Sequence, residues 1–588
     1  MALKFRAKIF LARVDEIKNL VKELKCNLDP TAFLILSSIL DNIKERNRII
    51  EVLREKAGNI DILTSKEILR ILMGQIPSRE KIDKNKIQPL VTETRREKNQ
   101  GKILSTSAFS TLTEYIVPLN EDKSIKTDAK LNDLRLREEI KADINLNIME
   151  AQSTIEAHSG YEIEEAVSIG PEDQFDFEVI LSPNVIRIND SVEAFRKLFI
   201  NRYSTFVKIF LKKGLRNVTT TSGVMKSGKG EYLIILVREK FVTKTGNGLL
   251  IGEDLEGEIR VHVPLSGLLA RKFKHILLDS VIAIKVKKAS KEYCVAEDII
   301  FPDIPHIRER ARARQRVKVA FLSDIHIGSK VFLKNAFINF IKFLRGEIKD
   351  KKLQLLAKEI KYVIVNGDLV DGVGVYPDQR KELRIVNIYE QYEQAAKYLS
   401  QIPKNKLIII IPGNHDAAGK FVPQPPIPEE IAGALYDLPN IKILGNPALI
   451  KLHGVRILLY HGYGLENLAA EIGIGLEKPT RILIETLRIR HLMPEWGRIP
   501  IAPIVKDYLI IEEVPDILAT GHLHIADVRI TKGGILLISS GAFQGLTSWQ
   551  KQLGIKPTLG IVPIVDLSTY EVSIIKCHDA GCELIAGG

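Results

Sequence analysis

The segment Asn366-Gly-Asp-Leu-Val-Asp-Gly372 directly follows the apolar run Tyr362–Val365, so that two carboxylates stand at the end of a predicted buried strand. Four further segments place aspartate, histidine or asparagine after an apolar run in the same way. They are Ser323-Asp-Ile-His326, Pro412-Gly-Asn-His-Asp416, His461-Gly-Tyr-Gly464 and Gly521-His-Leu-His524. Because α/β sheets form their sites in the loops that follow strands, the five segments predict one common site.

Two of these segments carry their polar groups two residues apart, as Asp324 with His326 and as His522 with His524. Side chains alternate along an extended segment, so both members of such a pair are expected on one face. Two pairs can form opposite walls of a metal cage, since imidazole and carboxylate groups bind divalent transition metals. His461 alone would more often be a core or turn histidine, but the five segments together indicate a metal site.

The composition of the 588-residue chain is that of a basic globular protein with several domains. Apolar residues make up 45% and charged residues 27%, which excludes wholesale disorder or a fibrous repeat. Four cysteines exclude a disulfide scaffold and suit a reducing cytosol. No apolar run approaches the ~18 residues of a membrane span, so we expect a cytoplasmic protein. The net charge of +12 fits a nucleic-acid partner or, equally, a lysine-rich solvated surface.

Changes in the pattern along the chain predict a multidomain α+β protein. Residues 1–75 have helical apolar periodicity, and residues 76–189 are polar enough to predict a linker with some helix. Residues 190–305 contain short β-rich runs separated by turns, which predicts a small barrel such as an OB-fold or, as an alternative, a small β-sandwich. Residues 306–588 alternate strands with amphipathic helices and then add closely spaced strands, which predicts an α/β domain with two sheets.

The five segments, in this order and each after a β-rich run, resemble the motif blocks of the calcineurin-like metallophosphoesterase superfamily. The resemblance implies an α/β/β/α sandwich and two metal ions that share Asp368. It implies that one ion is held by Asp324, His326, Asp368 and His524, and the other by Asp368, Asn414, His461 and His522. Such ligands suit divalent Mn, with Fe or Zn as alternatives. The resemblance also assigns His415 as the general acid and Asp371 as the residue that orients and charges its imidazole.

Two features narrow the choice within the superfamily. Gly372 stands where phosphoprotein phosphatases carry an arginine, and the order of the domains resembles that of the small B-type subunits of replicative DNA polymerases. Leu444-Gly-Asn-Pro447 and Ser540-Gly-Ala-Phe543 resemble the archaeal D-family members in particular. In that family the small subunit is a 3′→5′ exonuclease that proofreads single-stranded or mismatched DNA ends for a large catalytic subunit, which the resemblance implies as a partner.

The resemblance also implies contact with primer–template and single-stranded DNA, and makes a sliding clamp and a primase candidate partners. A basic rim for the DNA end is predicted between two metal blocks, with a solvated helix face as the alternative, at Arg481, Arg488, Arg490, His491 and Arg498. Phe543 and Trp549 are candidates for base stacking, with core packing as the commoner role. Cys577 and Cys582 have the wrong spacing and number for a structural zinc site, so we expect a tail there.

Two other interpretations stay open at the level of the sequence. One is a scaffold subunit with a vestigial metal site, although every ligand position is filled. The other is a stand-alone metal-dependent phosphodiesterase that acts on small nucleotides, although the long N-terminal region and the basic charge fit that class less well. Co-purification with a large polymerase chain and a nuclease assay on the isolated chain discriminate among the three.

Overall fold

The computed structural model describes residues 27–28, 62–63, 175–184, 192–227, 231–288, 293–305, 308–552 and 556–587, with the backbone alone at residues 27–28 and 62–63 and at Ser227, Glu231, Lys288, Trp549 and Gln552. The chain divides into two compact units, Met1–Asp143 and Ile144–Gly588. In the first unit the strands β1 (Asn27–Leu28) and β2 (Ile62–Leu63) pair in parallel. The helical region predicted for residues 1–75 otherwise lies outside the described residues, as does most of the linker predicted for residues 76–189.

The described part of residues 175–305 contains a strand of a larger sheet, a long helix and a small barrel. Its elements are β3 (Phe177–Leu181), α1 (Val192–Lys212), β4 (Val218–Thr219), α2 (Thr221–Ser227), β5 (Glu231–Val242), β6 (Gly248–Glu253), β7 (Glu258–Val263), α3 (Gly267–Lys274), β8 (Val281–Lys288) and β9 (Tyr293–Ile300).

Strand β5 closes the barrel because it pairs antiparallel with β6 on one side and with β8 on the other. The sheet order is β4-β5-β6-β7-β9-β8, in which β7 and β9 run parallel and α3 lies between β7 and β8 in the chain. Alternate residues face the interior, where Leu233, Ile235, Leu250 and Val261 are buried. The prediction of a small barrel is confirmed, and the β-sandwich alternative is wrong.

The described residues after the barrel alternate strands with helices and then become strand-rich. Their elements are β10 (Lys318–Leu322), α4 (Lys334–Leu344), α5 (Lys351–Glu359), β11 (Ile360–Asn366), the 3₁₀ turn Gln379–Glu382, α6 (Ile388–Leu399), β12 (Leu407–Ile411), α7 (Glu429–Tyr436), β13 (Ile441–Ile443), β14 (Ala448–Leu452), β15 (Val455–Leu459), α8 (Leu465–Ile472), α9 (Pro479–Ile489), β16 (Ile517–Thr520), β17 (Asp527–Ile530), β18 (Leu536–Ser539), α10 (Ser548–Gln552), β19 (Ile561–Asp566), β20 (Val572–His578) and β21 (Gly581–Ala586). In the part of the chain that the structure describes, no helix combines the length and the apolar content that crossing a membrane requires.

Two sheets stack at the centre of this domain. The seven-stranded sheet has the order β13-β12-β11-β10-β19-β20-β21, and the six-stranded sheet has the order β17-β18-β16-β15-β14-β3. Phe321 and Ile409 of the first sheet are buried in one apolar cluster with Ile457 and Ile538 of the second. Helices α4 to α7 cover the outer face of the first sheet, while α8, α9 and the barrel cover the second. This is the α/β/β/α layering that the sequence resemblance implies.

The strands that lead into the predicted metal loops form because their sequences are unbroken aliphatic runs. Leu407-Ile-Ile-Ile-Ile411 is buried at every position, as expected of a central parallel strand that is covered on both faces. Two of the intervening helices begin at side-chain caps. Asp350 accepts hydrogen bonds from the backbone amides of Lys352 and Leu353 ahead of α5, and Asn387 accepts one from the amide of Tyr389 ahead of α6. Because β10, β11 and β12 run parallel to one another, they end at the same edge of the sheet.

Two segments form strands that the sequence analysis did not predict. Strand β3 lies in the region predicted as a linker with some helix, yet it pairs antiparallel with β14, with Leu181 opposite Leu449. Cys577 and Cys582, predicted to lie in a tail, stand opposite each other in the β20–β21 pair and form a disulfide. The partner of β3 lies far along the chain, and strand pairing of this kind leaves no mark on local periodicity.

Phe543 belongs to the core beneath α4. Its ring centroid lies 5.4 Å from that of Phe337 and 6.2 Å from that of Phe340. A side chain that is fully buried among other aromatic rings cannot stack on a DNA base, so the base-stacking candidacy of Phe543 is wrong. The side chain of Trp549, the other candidate, lies outside the described residues.

Candidate metal centre

The loops after β10, β11, β12, β15 and β16 meet at one place on the stacked sheets. The backbone amide of Asp324 donates to the carbonyl oxygen of Gly367 at 3.0 Å, and the amide of Gly521 donates to the carbonyl oxygen of His461 at 2.7 Å. The Asp324 carboxylate in turn accepts a hydrogen bond from the amide of His522 at 2.8 Å. These bonds fix the loops to one another and bring the candidate ligands of five separate segments together.

Asp324, His326 and His524 form a first cluster of candidate ligands. Nε2 of His326 lies 3.2 Å from Nε2 of His524, and the latter atom lies 3.3 Å from Oδ1 of Asp324. Oδ2 of Asp368 borders the same space, at 3.7 Å from Nε2 of His326. These four buried residues are the ones that the resemblance implies for one ion.

Asp368, His461 and His522 form a second cluster. Nε2 of His461 lies 3.3 Å from Oδ2 of Asp368 and 3.0 Å from Oδ1 of Asn414. The ring centroids of His461 and His522 are 5.2 Å apart. Because one oxygen of Asp368 lies close to both clusters, that residue is placed as a ligand shared by two ions would be.

Two of the histidines have their second ring nitrogen engaged away from the centre. Nδ1 of His326 donates to Oδ1 of Asp371 at 2.9 Å, and Nδ1 of His461 donates to the carbonyl oxygen of Asn366 at 3.0 Å. Contacts of this kind fix the orientation and tautomer of metal-binding histidines. They leave the lone pair of each Nε2 atom for a cation in the centre.

The electrostatics of the centre also suit a cation. Oδ1 of Asp324 is buried and accepts no hydrogen bond from the described residues. Burial raises the pKa of Asp324, but the nearby His524 and His461 outweigh it and lower the pKa to about 2. Burial of Asp368 is likewise outweighed by His461 and His415, which hold its pKa well below the usual range. Ionised, buried carboxylates among imidazoles fit divalent transition metals.

Several candidate ligands share an uncommon backbone conformation. Five of the twelve non-glycine residues with positive φ in the described chain are candidate ligands, namely Asp324, His326, Asp368, His522 and His524, with φ between 52° and 68°. This conformation costs on the order of 1 kcal/mol or more per residue and is concentrated at functional sites. The alternation of an extended segment, which the sequence analysis used to place Asp324 beside His326, is therefore wrong, since left-handed turns direct these side chains.

Asp371 supports a different residue from the one that the resemblance implies. Its Oδ1 accepts the hydrogen bond from His326 and lies 3.8 Å from Nδ1 of His415, which is too far for a second one. Nδ1 of His415 donates instead to the main-chain carbonyl oxygen of Asp371 at 2.7 Å. The Asp371 carboxylate therefore does not orient His415 by a hydrogen bond, and the expectation is corrected to its backbone carbonyl.

Two glycines of the motif segments allow the loops to approach each other. A Cβ atom at Gly413 would lie 2.1 Å from Oδ1 of Asp368. At Gly372 φ is +71°, and a Cβ atom would lie 2.3 Å from the carbonyl oxygen of His415. A side chain at either position would displace a candidate ligand or the candidate acid. The backbone around Gly372 thus has no room for the arginine of phosphoprotein phosphatases.

Some supporting residues escaped the sequence analysis. The buried carboxylate of Asp416 accepts hydrogen bonds from the amides of Gly413 at 2.9 Å and Leu369 at 3.3 Å, and so joins the loops after β11 and β12. The side chains of Gln544 and Gln550 lie 2.9 Å from the Asp371 carboxylate and 3.0 Å from Nδ1 of His524, respectively. The sequence could have pointed to Asp416, because it ends a motif segment. The two glutamines lie outside every motif and could not have been found in this way.

Arg490 and His491 are not available for a DNA-binding rim. Arg490 is buried and donates to the carbonyl oxygens of Ile511 and Glu512. His491 is fully buried, with Nε2 at 3.1 Å from Oδ2 of Asp507. The chain turns inward where α9 ends in a left-handed residue, so the rim prediction is wrong at these two positions.

The other three predicted rim residues are accessible to different degrees. Arg481 is exposed, whereas Arg488 and Arg498 are half-buried. Nε of Arg488 lies 3.2 Å from Glu485, and Nε of Arg498 lies 3.0 Å from Glu495. Of the predicted rim, Arg481 therefore keeps the most accessible charge.

The DNA polymerase alpha/epsilon B-subunit family matches residues 319–526, a span that contains all five loops of the centre. The DNA polymerase II small subunit of Methanothermobacter thermautotrophicus is 39% identical over 400 residues, which cover 67% of this chain and 82% of that protein. The chain belongs to the family of archaeal DNA polymerase II small subunits. The resemblance to D-family small subunits is therefore confirmed at the level of the family.

Other members of the family show the same degree of similarity. The DNA polymerase II small subunits of Pyrococcus furiosus and Methanocaldococcus jannaschii are 38% and 40% identical, over 66% and 64% of this chain and 64% of each relative. Among solved structures, Vps29 of Chaetomium thermophilum aligns with 46% of this chain and 95% of its own at 12% identity and a TM-score of 0.21. GAP50 of Plasmodium aligns with 46% and 89%, at 11% identity and a TM-score of 0.23.

Proposed function

We propose that this small subunit carries a two-ion 3′→5′ exonuclease, which hydrolyses single-stranded or mismatched 3′ DNA ends for a large catalytic subunit. The observation that carries the proposal is the pair of ligand clusters that share Asp368, with the buried Oδ1 of Asp324 left without a hydrogen bond. A vestigial site would be expected to lack some of the metal-ligand groups. Here carboxylate, amide and imidazole groups occupy every position of both clusters.

The proposed ligands and acid have separate tasks. Asp324, His326, Asp368 and His524 would hold one divalent ion, proposed to be Mn, and Asp368, Asn414, His461 and His522 would hold the other. When bound, such a pair of ions activates a water and stabilises the charge that develops on the phosphate. His326 and His461, whose Nδ1 atoms are already engaged, would serve as ligands through Nε2.

His415 is placed to donate the proton that the leaving 3′-oxygen needs. Its Nδ1 is held by the Asp371 carbonyl oxygen, so Nε2 points toward the centre, 4.0 Å from Oδ2 of Asp368. The side chain is 14% exposed, which is enough for contact with a substrate that enters the loops. A protonated imidazole there would transfer its Nε2 proton as the bond between phosphorus and the 3′-oxygen breaks.

The remaining domains suggest how DNA is presented. We propose that the closed barrel, which shares an apolar cluster with α8 and α9, is an OB-fold that binds single-stranded DNA next to the phosphoesterase domain. The relatives are small subunits of DNA polymerase II, which supports a large polymerase chain as the partner. The net charge of +12 supports contact with the phosphates of DNA.

The proposal is tested with 3′-labelled single-stranded DNA and Mn²⁺, with and without the large subunit. We expect release of labelled mononucleotides by the wild-type protein and loss of release in Asp368→Asn. Binding to the same DNA should weaken steeply as salt rises, because neutralised phosphates release counterions. If neither the chain nor its complex releases nucleotides in Mn²⁺, Fe²⁺ or Zn²⁺, the scaffold interpretation replaces the exonuclease.

A further inference from the structure

Glu466 lies beside the second ligand cluster, and the proposed chemistry gives it no role. It stands in the first turn of α8, in the connection that also carries His461. Its Oε2 lies 3.2 Å from Nε2 of His522 and accepts a hydrogen bond from the backbone amide of Gly464 at 3.2 Å. One carboxylate oxygen therefore contacts a candidate ligand and the loop that supplies another.

This contact determines which nitrogen of His522 is available to the centre. Because Nε2 faces Glu466, Nδ1 is the atom left for the cluster with Asp368 and His461. The backbone of His522 is held as well, since its amide donates to the Asp324 carboxylate at 2.8 Å. With the main chain fixed, the remaining freedom is rotation of the ring, which a carboxylate on the far nitrogen restricts.

We propose that Glu466 is a positioning residue that holds the His522 ring with Nδ1 directed at the second cluster and thereby sets the affinity of that cluster for a divalent cation. The inference rests on the proposed two-ion function but concerns only one half of the centre. Neither the quoted motifs nor the resemblance points to Glu466, because it lies outside the five blocks.

In each cluster a carboxylate contacts the ring of one candidate histidine ligand, but the two carboxylates differ in solvent exposure. Asp371 contacts His326 of the first cluster at 2.9 Å and is fully buried. Glu466 contacts His522 of the second cluster at 3.2 Å with 35% of its side chain exposed. Because the half-buried Glu466 is more accessible to solvent than Asp371, its support of the second cluster is expected to be the weaker of the two.

The experiment is a calorimetric Mn²⁺ titration of the full-length protein at constant pH. In Glu466→Ala we expect the affinity of one binding step to fall by about 10–100-fold while the other step is unchanged. Glu466→Gln, which keeps an oxygen acceptor, should show a smaller loss. Glu471→Gln is the matched control, because Glu471 lies on the same helix and pairs with Arg498 instead of a ligand.

His522→Ala identifies the affected step, since it removes the ligand itself and should abolish the same step that Glu466→Ala weakens. Thermal unfolding without metal checks that each variant is folded. Wild-type affinity for both steps in Glu466→Ala and Glu466→Gln would overturn the role of Glu466 while leaving the two-ion function intact. Wild-type protein that binds no Mn²⁺ would instead overturn the two-ion function, and the role of Glu466 with it.

Discussion

The carboxylate of Asp371 accepts a hydrogen bond from Nδ1 of His326 at 2.9 Å, while the backbone carbonyl of the same residue accepts one from His415 at 2.7 Å. Asp371 thus positions a candidate metal ligand with its side chain and the candidate acid with its main chain. A substitution of the Asp371 side chain therefore alters the hydrogen bond with His326 and leaves the one with His415 in place.

Asp371→Asn should therefore weaken metal binding in the first cluster. The amide keeps the size of the side chain but removes the charge that supports His326, and changes of this kind cost about 10–100-fold in metal affinity or activity. Calorimetric Mn²⁺ titration measures the effect. Asp378→Asn is a suitable control, because Asp378 is an exposed acid of the same region that pairs with Lys381. Unchanged affinity with slower turnover would restore the role implied by the resemblance.

His415→Ala should keep both metal ions and lose turnover. General acid catalysis contributes about 10²–10⁴-fold, so the rate of nucleotide release should fall by that order. Elemental analysis of the purified variant checks metal content. Asn414→Ala and His522→Ala, which remove proposed ligands, should instead lose metal. The assignment of roles would be wrong if His415→Ala lost a metal and hydrolysed DNA normally in excess Mn²⁺.

Asp368→Asn should abolish hydrolysis and leave the fold largely intact. Its Oδ2 borders both clusters, so loss of this charge affects two ions at once. Its Oδ1 accepts a hydrogen bond from the backbone amide of His415, a contact that an asparagine oxygen can preserve. A nuclease assay tests the loss of hydrolysis, and thermal unfolding tests whether the fold is intact. Nuclease activity at the wild-type level would remove the two-ion mechanism.

Arg202→Ala should destabilise the protein strongly. Arg202 of α1 is fully buried and donates to Asp507 at 2.7 Å and to the carbonyl oxygen of Pro494 at 2.7 Å. Removing one partner of a buried ion pair costs about 3–5 kcal/mol, because the other charge stays buried. Arg196→Ala, which breaks an exposed pair with Glu193 on the same helix, should cost less than about 1 kcal/mol. The denaturant midpoints of the two variants measure these losses of stability.

The same ion pair makes stability depend on pH. Burial raises the pKa of Asp507, but Arg202 and His491 outweigh it and hold the pKa well below the usual 3.8. A carboxyl with a depressed folded-state pKa stabilises the fold above its unfolded pKa, and this contribution is lost as the pH falls toward the folded value. We expect the free energy of unfolding to decline below about pH 4, and to decline less steeply in Asp507→Asn.

Much of the fold could be predicted because its signals are local. The run Leu407–Ile411 is apolar at every position, and the short β-rich runs of the barrel are separated by turns. Strand β3 could not be predicted in this way, since the strand that it pairs with lies far along the chain. The disulfide between Cys577 and Cys582 joins neighbouring strands, but it depends on the register that places these two residues opposite each other in the β20–β21 pair.

The amino-acid sequence by itself determined the candidate ligands, because each follows a strand and parallel strands end at a common edge. Only the tertiary structure decided what surrounds them. It assigned the Asp371 carboxylate to His326, brought Glu466 to His522, and buried Arg490 away from any DNA-binding rim. The physical reason is that side-chain direction and burial depend on left-handed turns and on contacts between distant segments, neither of which is encoded in local periodicity.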